Sequence, residues 1–92
     1  MLEFDWDDKK NDTNHQKHGI WFEDAESVFN DPLQESKPNC IVNGEERWQT
    51  IGMSKTGEIL KIIYTVRDNG KIIRIISARL PTPKERRYYE YR

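Results

Sequence analysis

Cys40-Ile-Val-Asn43-Gly44-Glu-Glu-Arg47-Trp48 reads as two strands joined by a two-residue turn. Both central positions of such a turn need positive φ, which Asn and Gly adopt at little steric cost. Strands over 39–42 and 46–53 follow. Ser54-Lys-Thr-Gly57 and Asp68-Asn-Gly70 mark two further turns, so strands over 59–67 and 71–79 complete a four-stranded antiparallel meander. In the third strand Leu60, Ile62, Tyr64 and Val66 share one face, and Ile59, Lys61, Ile63 and Thr65 the other. Both faces are partly apolar. One therefore packs helices, and the other supports a shallow groove.

Upstream the texture is helical. Phe4-Asp-Trp6 reads as a short extended lead whose rings pack inward. Asp7 suits the N-cap of a polar helix over about 8–18, and Gly19 a left-handed stop. A second helix over about 22–30 presents Phe22, Ala25, Val28 and Phe29 as an apolar stripe, with Asp31-Pro32 to end it. Residues 33–38 read as a connecting loop. Downstream, Pro81 stops the last strand and Thr82-Pro-Lys-Glu85 opens a helix: Thr82 is the N-cap, Pro83 the first helical position, and Glu85 reaches back as a capping box. The fold class is α+β, in a single domain over residues 1–92: two N-terminal helices, the meander and a C-terminal helix.

A formal net charge of −1 conceals a strong segregation. Residues 1–46 hold four lysines against twelve acids, and residues 47–92 hold eleven Lys/Arg against four acids. Such asymmetry predicts a basic working face for a polyanion. The end of the chain sharpens this. The strand Ile72-Ile-Arg-Ile-Ile-Ser-Ala-Arg79 runs into Leu80-Pro-Thr-Pro-Lys-Glu-Arg-Arg-Tyr-Tyr-Glu-Tyr-Arg92. Arginine forks match phosphate oxygens and tyrosine rings stack bases, which points to RNA. Cys40 is alone, so neither a disulfide framework nor a thiolate zinc site is expected. Mean hydropathy is −0.96, and no apolar stretch approaches membrane-spanning length. The acidic start lacks the positive charge of a signal peptide, so a cytoplasmic location is expected.

Several short pieces recur in one order: Phe4-x-Trp6-Asp7, Lys17-His18-Gly19, Phe22-Glu23-x-Ala25, Val28-Phe29-x-Asp31-Pro32, Glu46-Arg47, Gly52, Tyr64-Thr65-x-Arg67, Arg74-Ile-Ile-Ser-Ala-Arg79 and Glu85-Arg86-x-x-Tyr89-Glu90. In this order and spacing the chain resembles the BrnT toxins of bacterial type II toxin–antitoxin pairs. The resemblance implies a RelE/ParE-like fold and RNA cleavage with no metal and no cofactor. It also implies neutralisation by a cognate antitoxin, a BrnA-like ribbon-helix-helix protein, and contact with operator DNA only through that antitoxin. The chain departs from the pattern at Asp8, where relatives often carry Pro, and at Leu80-Pro81, which replaces a polar linker.

Metal-free cleavage requires a proton acceptor for the 2′-OH, charge stabilisation at phosphorus and release of the 5′-oxygen; the second is usually the largest contribution. Arg79 and Arg67, at strand ends, are the first candidates, with Arg47 beside the first turn as a further phosphate ligand. Strand-end arginines are ordinarily solubilising charges, and the resemblance reverses that reading most strongly for Arg79. Arg74 alternates to the face opposite Arg79 unless the strand bends. Glu46 is a candidate base, against the more common role of a salt-bridged surface carboxylate. Tyr89 and Tyr88 can stack a base or donate to phosphate while packing the last helix, and Arg86 extends the basic surface. His15 and His18 share a helix face, but their position at a helix C-terminus favours a structural role.

The leading function is a ribonuclease toxin that arrests growth. The alternative is a non-catalytic binding module that keeps the basic groove and acts with the antitoxin as a co-repressor on operator DNA. A plain adaptor domain contacting an acidic chain is a further rival.

Overall fold

At the Asn43-Gly44 turn φ is 50° and 76°, and Val42 pairs with Glu45 across it. In the computed structural model, which describes residues 2–91, the strands around this turn are β2 (Glu35–Val42) and β3 (Glu45–Met53). Met1 and Arg92, the last cation of the basic tail, lie outside the described residues. The remaining elements are β1 (Glu3–Asp5), α1 (Asp8–His18), α2 (Phe22–Ala25), a 3₁₀ segment (Glu26–Asn30), β4 (Ile59–Arg67), β5 (Ile72–Arg79) and α3 (Pro83–Tyr91).

The meander expected over four strands is part of a five-stranded mixed sheet of order β1-β5-β4-β3-β2. The lead around Phe4 is itself a strand, parallel to β5, with Phe4 opposite Ile73. Its rings do turn inward: Phe4 meets Phe29 at 5.4 Å and Trp6 meets Phe22 edge-on at 6.0 Å. The expected loop over 33–38 is also corrected, because β2 begins at Glu35. Pro38, which argues against a strand, is tolerated on an edge strand, and the register shifts just after it. The helix expected over 22–30 is four residues of α2 followed by the 3₁₀ segment. Ser27 donates to the Asp24 carbonyl there, competing with regular α-helical bonding.

α1 has almost no apolar stripe, yet it docks firmly. Asp7 caps it by accepting from the Lys9 and Lys10 N–H groups. Its buried residues are Asn11 and Asn14. Asn14 donates to the carbonyls of Ile20 and Ala78 and accepts from the Ala78 N–H. One side chain thus pairs the stretch of β5 that β1 does not reach. Asn11 donates to Glu23 and accepts from the Phe22 N–H, tying α1 to α2.

Phe22, Ala25 and Val28 pack with Leu60, Ile62, Tyr64, Ile75 and Ala78 to form the core on one side of the sheet. β3 comes close to this layer only because residue 52 is glycine: a Cβ there would stand 2.7 Å from the Gln34 Cβ and 2.8 Å from a Val28 methyl. Val66, expected with the apolar face of β4, lies beyond the helices and is 41% exposed. Between β4 and β5 the pairing steps from Ile63↔Ser77 to Tyr64↔Ile75, leaving Ile76 as an extra residue. This bulge changes which side chains of β5 share a face.

Candidate functional site

The sheet side away from α1 and α2, here called the outer face, can be read row by row from the strand register. Glu35, Ile51, Lys61 and Arg79 form one row, and Lys37, Gln49, Ile63 and Ser77 the next. After the bulges in β2 and β5, Cys40 opposite Arg47 and Thr65 opposite Arg74 follow on the same face. All the lysines and arginines of β2–β5 (Lys37, Arg47, Lys61, Arg67, Arg74 and Arg79) therefore lie on this one face. The alternation that set Arg74 opposite Arg79 is reversed by the extra residue Ile76, so the two share the outer face after all.

They do not form one cluster. Arg79 pairs with Lys61 at one end of β4, whereas Arg67 pairs with Ile72 at the other. Six residues of strand separate those positions, about 20 Å at ~3.3 Å per residue. Arg67 and Arg79 cannot clamp one phosphate.

At the Arg79 end the guanidinium is held in a fixed pose. Its Nη1 donates to the Leu80 carbonyl and to Glu85 Oε1, both at 2.9 Å, and its Nη2 to Glu85 Oε2 at 3.2 Å. Lys61 Nζ reaches Glu85 Oε2 at 2.9 Å. Glu85 also completes the expected capping box, accepting from the Thr82 N–H while its own N–H donates to Thr82 Oγ1. Burial alone would raise the Glu85 carboxyl, but Arg79, the Thr82 N–H and Lys61 outweigh it and hold the group at about 2. A carboxylate held so low is a poor proton acceptor near neutrality and a good anchor for two cations.

α3 lies against this end of the outer face through its tyrosines. The Tyr88 hydroxyl donates to Glu35 at 2.9 Å and the Tyr89 hydroxyl to Asp31. Beneath them Lys37, Gln49 and Ile51 floor a gap of about 30 Å³. Tyr88 keeps more than half its surface exposed, whereas Tyr89 is half-buried. Arg86 points to solvent in an i,i+4 pair with Glu90.

At the far end Arg67 makes a two-toothed pair with Glu45 at 3.1 and 3.2 Å, and Arg74 pairs with Asp5 at 2.5 Å. Hydrogen bonding from Arg67, with the charges of Arg47 and Arg74 behind it, lowers the Glu45 carboxyl against the opposing effect of burial. The carboxylate among the arginines is thus Glu45. Glu46, the candidate base, sits opposite Ile41 on the other face, exposed beyond the helices. His15 stacks on Trp21 at 3.8 Å, in the helical layer behind the sheet, and His18 ends the same helix. Among the described residues no three His, Cys, Asp or Glu side chains gather to hold a metal ion, and no helix is long and apolar enough to cross a membrane.

Three participants were missed in the sequence. Lys61 was assigned to the correct face by alternation but not matched with Arg79, since pairing across strands depends on the bulge. Glu85 was read only as a helix cap, although its second oxygen was open to a partner. Glu45 was passed over for its neighbour because the face each one takes is fixed by register and not by adjacency to Arg47.

No curated protein matches the sequence at a significant level. Among solved structures, the ribonuclease toxin BrnT of Brucella abortus superposes with a TM-score of 0.64 at 24% identity, covering 89% of this chain and 99% of that one. This likeness establishes the shared fold. A family model described as the ribonuclease toxin BrnT of type II toxin–antitoxin systems matches residues 6–85. With most of its length matched, the chain belongs to the BrnT family of ribonuclease toxins.

Proposed function

We propose that RNA lies across the outer face and is cut without a metal ion at the end built from Arg79, Lys61 and α3. The observation that carries this reading is the placement of all the strand cations on one face. The 2′-hydroxyl gives its proton to solvent water as its oxygen attacks phosphorus, and the leaving 5′-oxygen takes a proton from water, which gives a 2′,3′-cyclic phosphate and a 5′-hydroxyl. Negative charge gathers on the phosphoryl oxygens as this happens, and oriented donors there contribute most of the rate. Arg79 is oriented by Glu85 and Leu80, with its Nε–H and the second Nη2–H directed away from those bonds. Lys61 adds a compact charge from the neighbouring strand. Tyr88 offers an exposed ring for a base, while Tyr89 anchors α3. Glu85 acts as a positioning residue, and Glu46, on the other face, takes no part.

The family implies a cognate antitoxin, and its neutralising contact is read as cover for this cationic face. We take that partner to be a ribbon-helix-helix protein which carries the toxin to operator DNA, both acting in the cytoplasm. The test is cleavage of a purified single-stranded RNA in EDTA. Products with 2′,3′-cyclic phosphate ends are expected, and induction of the chain alone should slow growth until the antitoxin is co-expressed. Cleavage only on addition of Mg²⁺ would overturn the metal-free mechanism. No cleavage by folded protein under either condition would overturn the enzymatic reading in favour of a binding module.

A further inference from the structure

We propose that Arg47, Arg67 and Arg74, gathered around Thr65, form a second phosphate subsite that sets the length of RNA the enzyme prefers. This rests on the reading of the outer face as the RNA face with Arg79 at the point of cleavage.

The three arginines come from three adjacent strands. Thr65 of β4 pairs with Arg74 of β5. The β3–β4 register runs to Trp48↔Tyr64, and continuing it by one residue sets Arg47 beside Thr65. One step further, Glu45 and Arg67 do meet through their side chains. Two polar groups at the centre of this cluster are buried without a hydrogen-bond partner: the Arg47 Nε and the Thr65 Oγ1. Thr65 is 0% exposed, and orphaned buried polar groups are rare in a folded protein. Neither atom has surface for a ligand in the free protein, so an anion completes their bonding by drawing the Arg47 side chain toward it.

The ion pairs already present do not block such a ligand. Glu45 and Asp5 each hold one guanidinium at the surface, and a phosphodiester presents the same pair of oxygens to an arginine fork. Arg47 has no carboxylate among the described residues within ion-pair distance. A bound phosphate then exchanges with one carboxylate while Arg47 adds a contact made only in the complex.

The spacing gives this subsite its role. From Lys61 to Thr65 is four residues of β4 and to Arg67 six, or about 13–20 Å at ~3.3 Å per residue. The row between carries Lys37 at its β2 edge, while Gln49, Ile63 and Ser77, which lie along β3–β5 between the two clusters, are neutral. The face thus has two cationic centres with a neutral stretch of β3–β5 between them and Lys37 to one side. A stacked nucleic-acid strand advances about 3.4 Å per nucleotide, so an RNA touching both centres spans roughly four to six nucleotides. Shorter RNA reaches only the cleaving end.

The experiment compares kcat/KM for a trinucleotide and a twelve-nucleotide RNA of the same central sequence. Wild type should favour the longer RNA at least tenfold, through KM. Arg47→Gln and Arg74→Gln, tested singly and together, should collapse this length advantage toward one while kcat on the longer RNA changes less than twofold. Arg74→Lys should restore part of it. A length advantage that survives the double substitution overturns the proposal, as does a fall in kcat equal on both substrates. Arg79→Ala serves as the reference: if it cleaves like wild type, the underlying site is wrong. If it is inactive on both RNAs while the length advantage ignores Arg47 and Arg74, only the second subsite is wrong. Circular dichroism of each variant reports folding, and the single substitution at the surface-paired Arg74 keeps the test open should the Arg47 variant unfold.

Discussion

In the proposed mechanism Arg79 owes its role to Glu85, which fixes the guanidinium plane, and to its place at a strand end. Arg79→Ala should lower the single-turnover cleavage rate by a hundred- to a thousandfold, corresponding to about 3–4 kcal/mol for an oriented donor lost at the transition state. Arg79→Lys should recover little, because an ammonium cannot keep a two-toothed pair with Glu85 and also present a fork to phosphate. Rates measured on folded variants decide this. The choice of Arg79 over other strand-end arginines came from the family resemblance, whereas its strand-end position was legible in the sequence because a run of β-branched residues ends on it just before Leu80-Pro81. Its partner Lys61 was not, since the pair meets across a strand boundary. Glu85 leads to a second prediction. Its carboxyl has an ordinary value of 4.5 and is held at about 2 in the folded chain, so its stabilisation is complete above pH 4.5 and lost as pH falls toward 2. Urea unfolding should show stability dropping through that window. Glu85→Gln should be less stable at pH 7 and show a flatter acid limb. The difference should be about 1 kcal/mol, small because the group lies near solvent.

Among the elements, those set by neighbouring residues were readable and those set by distant partners were not. The Asn43-Gly44 turn, the Asp7 cap and the Thr82–Glu85 capping box are local chemistry, and each forms as its residues require. The strand around Phe4 is three residues long and gains its structure only from β5, seventy positions away in round terms on the chain. The bulge at Ile76 has no local signature, yet it decides that Arg74 and Arg79 share a face. The polar surface of α1 made it look weakly held, since hydrogen bonds from Asn11 and Asn14 replace the usual apolar stripe. A further prediction concerns β3. Gly52→Ala places a methyl group against backbone-anchored neighbours, the Gln34 Cβ and the Val28 side chain. We expect a loss of about 1–3 kcal/mol in unfolding free energy, as for an overpacked core. Chemical denaturation measures it, and unchanged stability would show that the 3₁₀ segment yields freely.

At the scale of the whole molecule, the near-neutral net charge hides an outer face that gathers all the strand cations, offset in part by Glu35, Glu45, Asp5 and Glu85. RNA affinity should therefore fall steeply with salt. Each phosphate neutralised contributes about −0.7 to the slope of log K against log salt for a single strand, so four to six contacts give roughly −3 to −4. Filter binding or anisotropy over a salt series reads this slope, and a flat response would remove the outer face as the RNA surface. The charge division of the sequence only partly prefigures the two sides of the sheet, because Asp5, Glu35, Lys37 and Glu45 of the acidic half all lie on the outer face. The pairing of β1 with β5 carries a consequence of its own. The strand formed by residues 3–5 has its sheet neighbour at residues 72–74, so β1 stays unpaired until β5 has been made. While the ribosome is still working through the middle of the message, the nascent chain lacks Arg74, Arg79 and the β5 strand that joins its two ends. A product cut short before β5 is therefore expected to lack the proposed cleaving end.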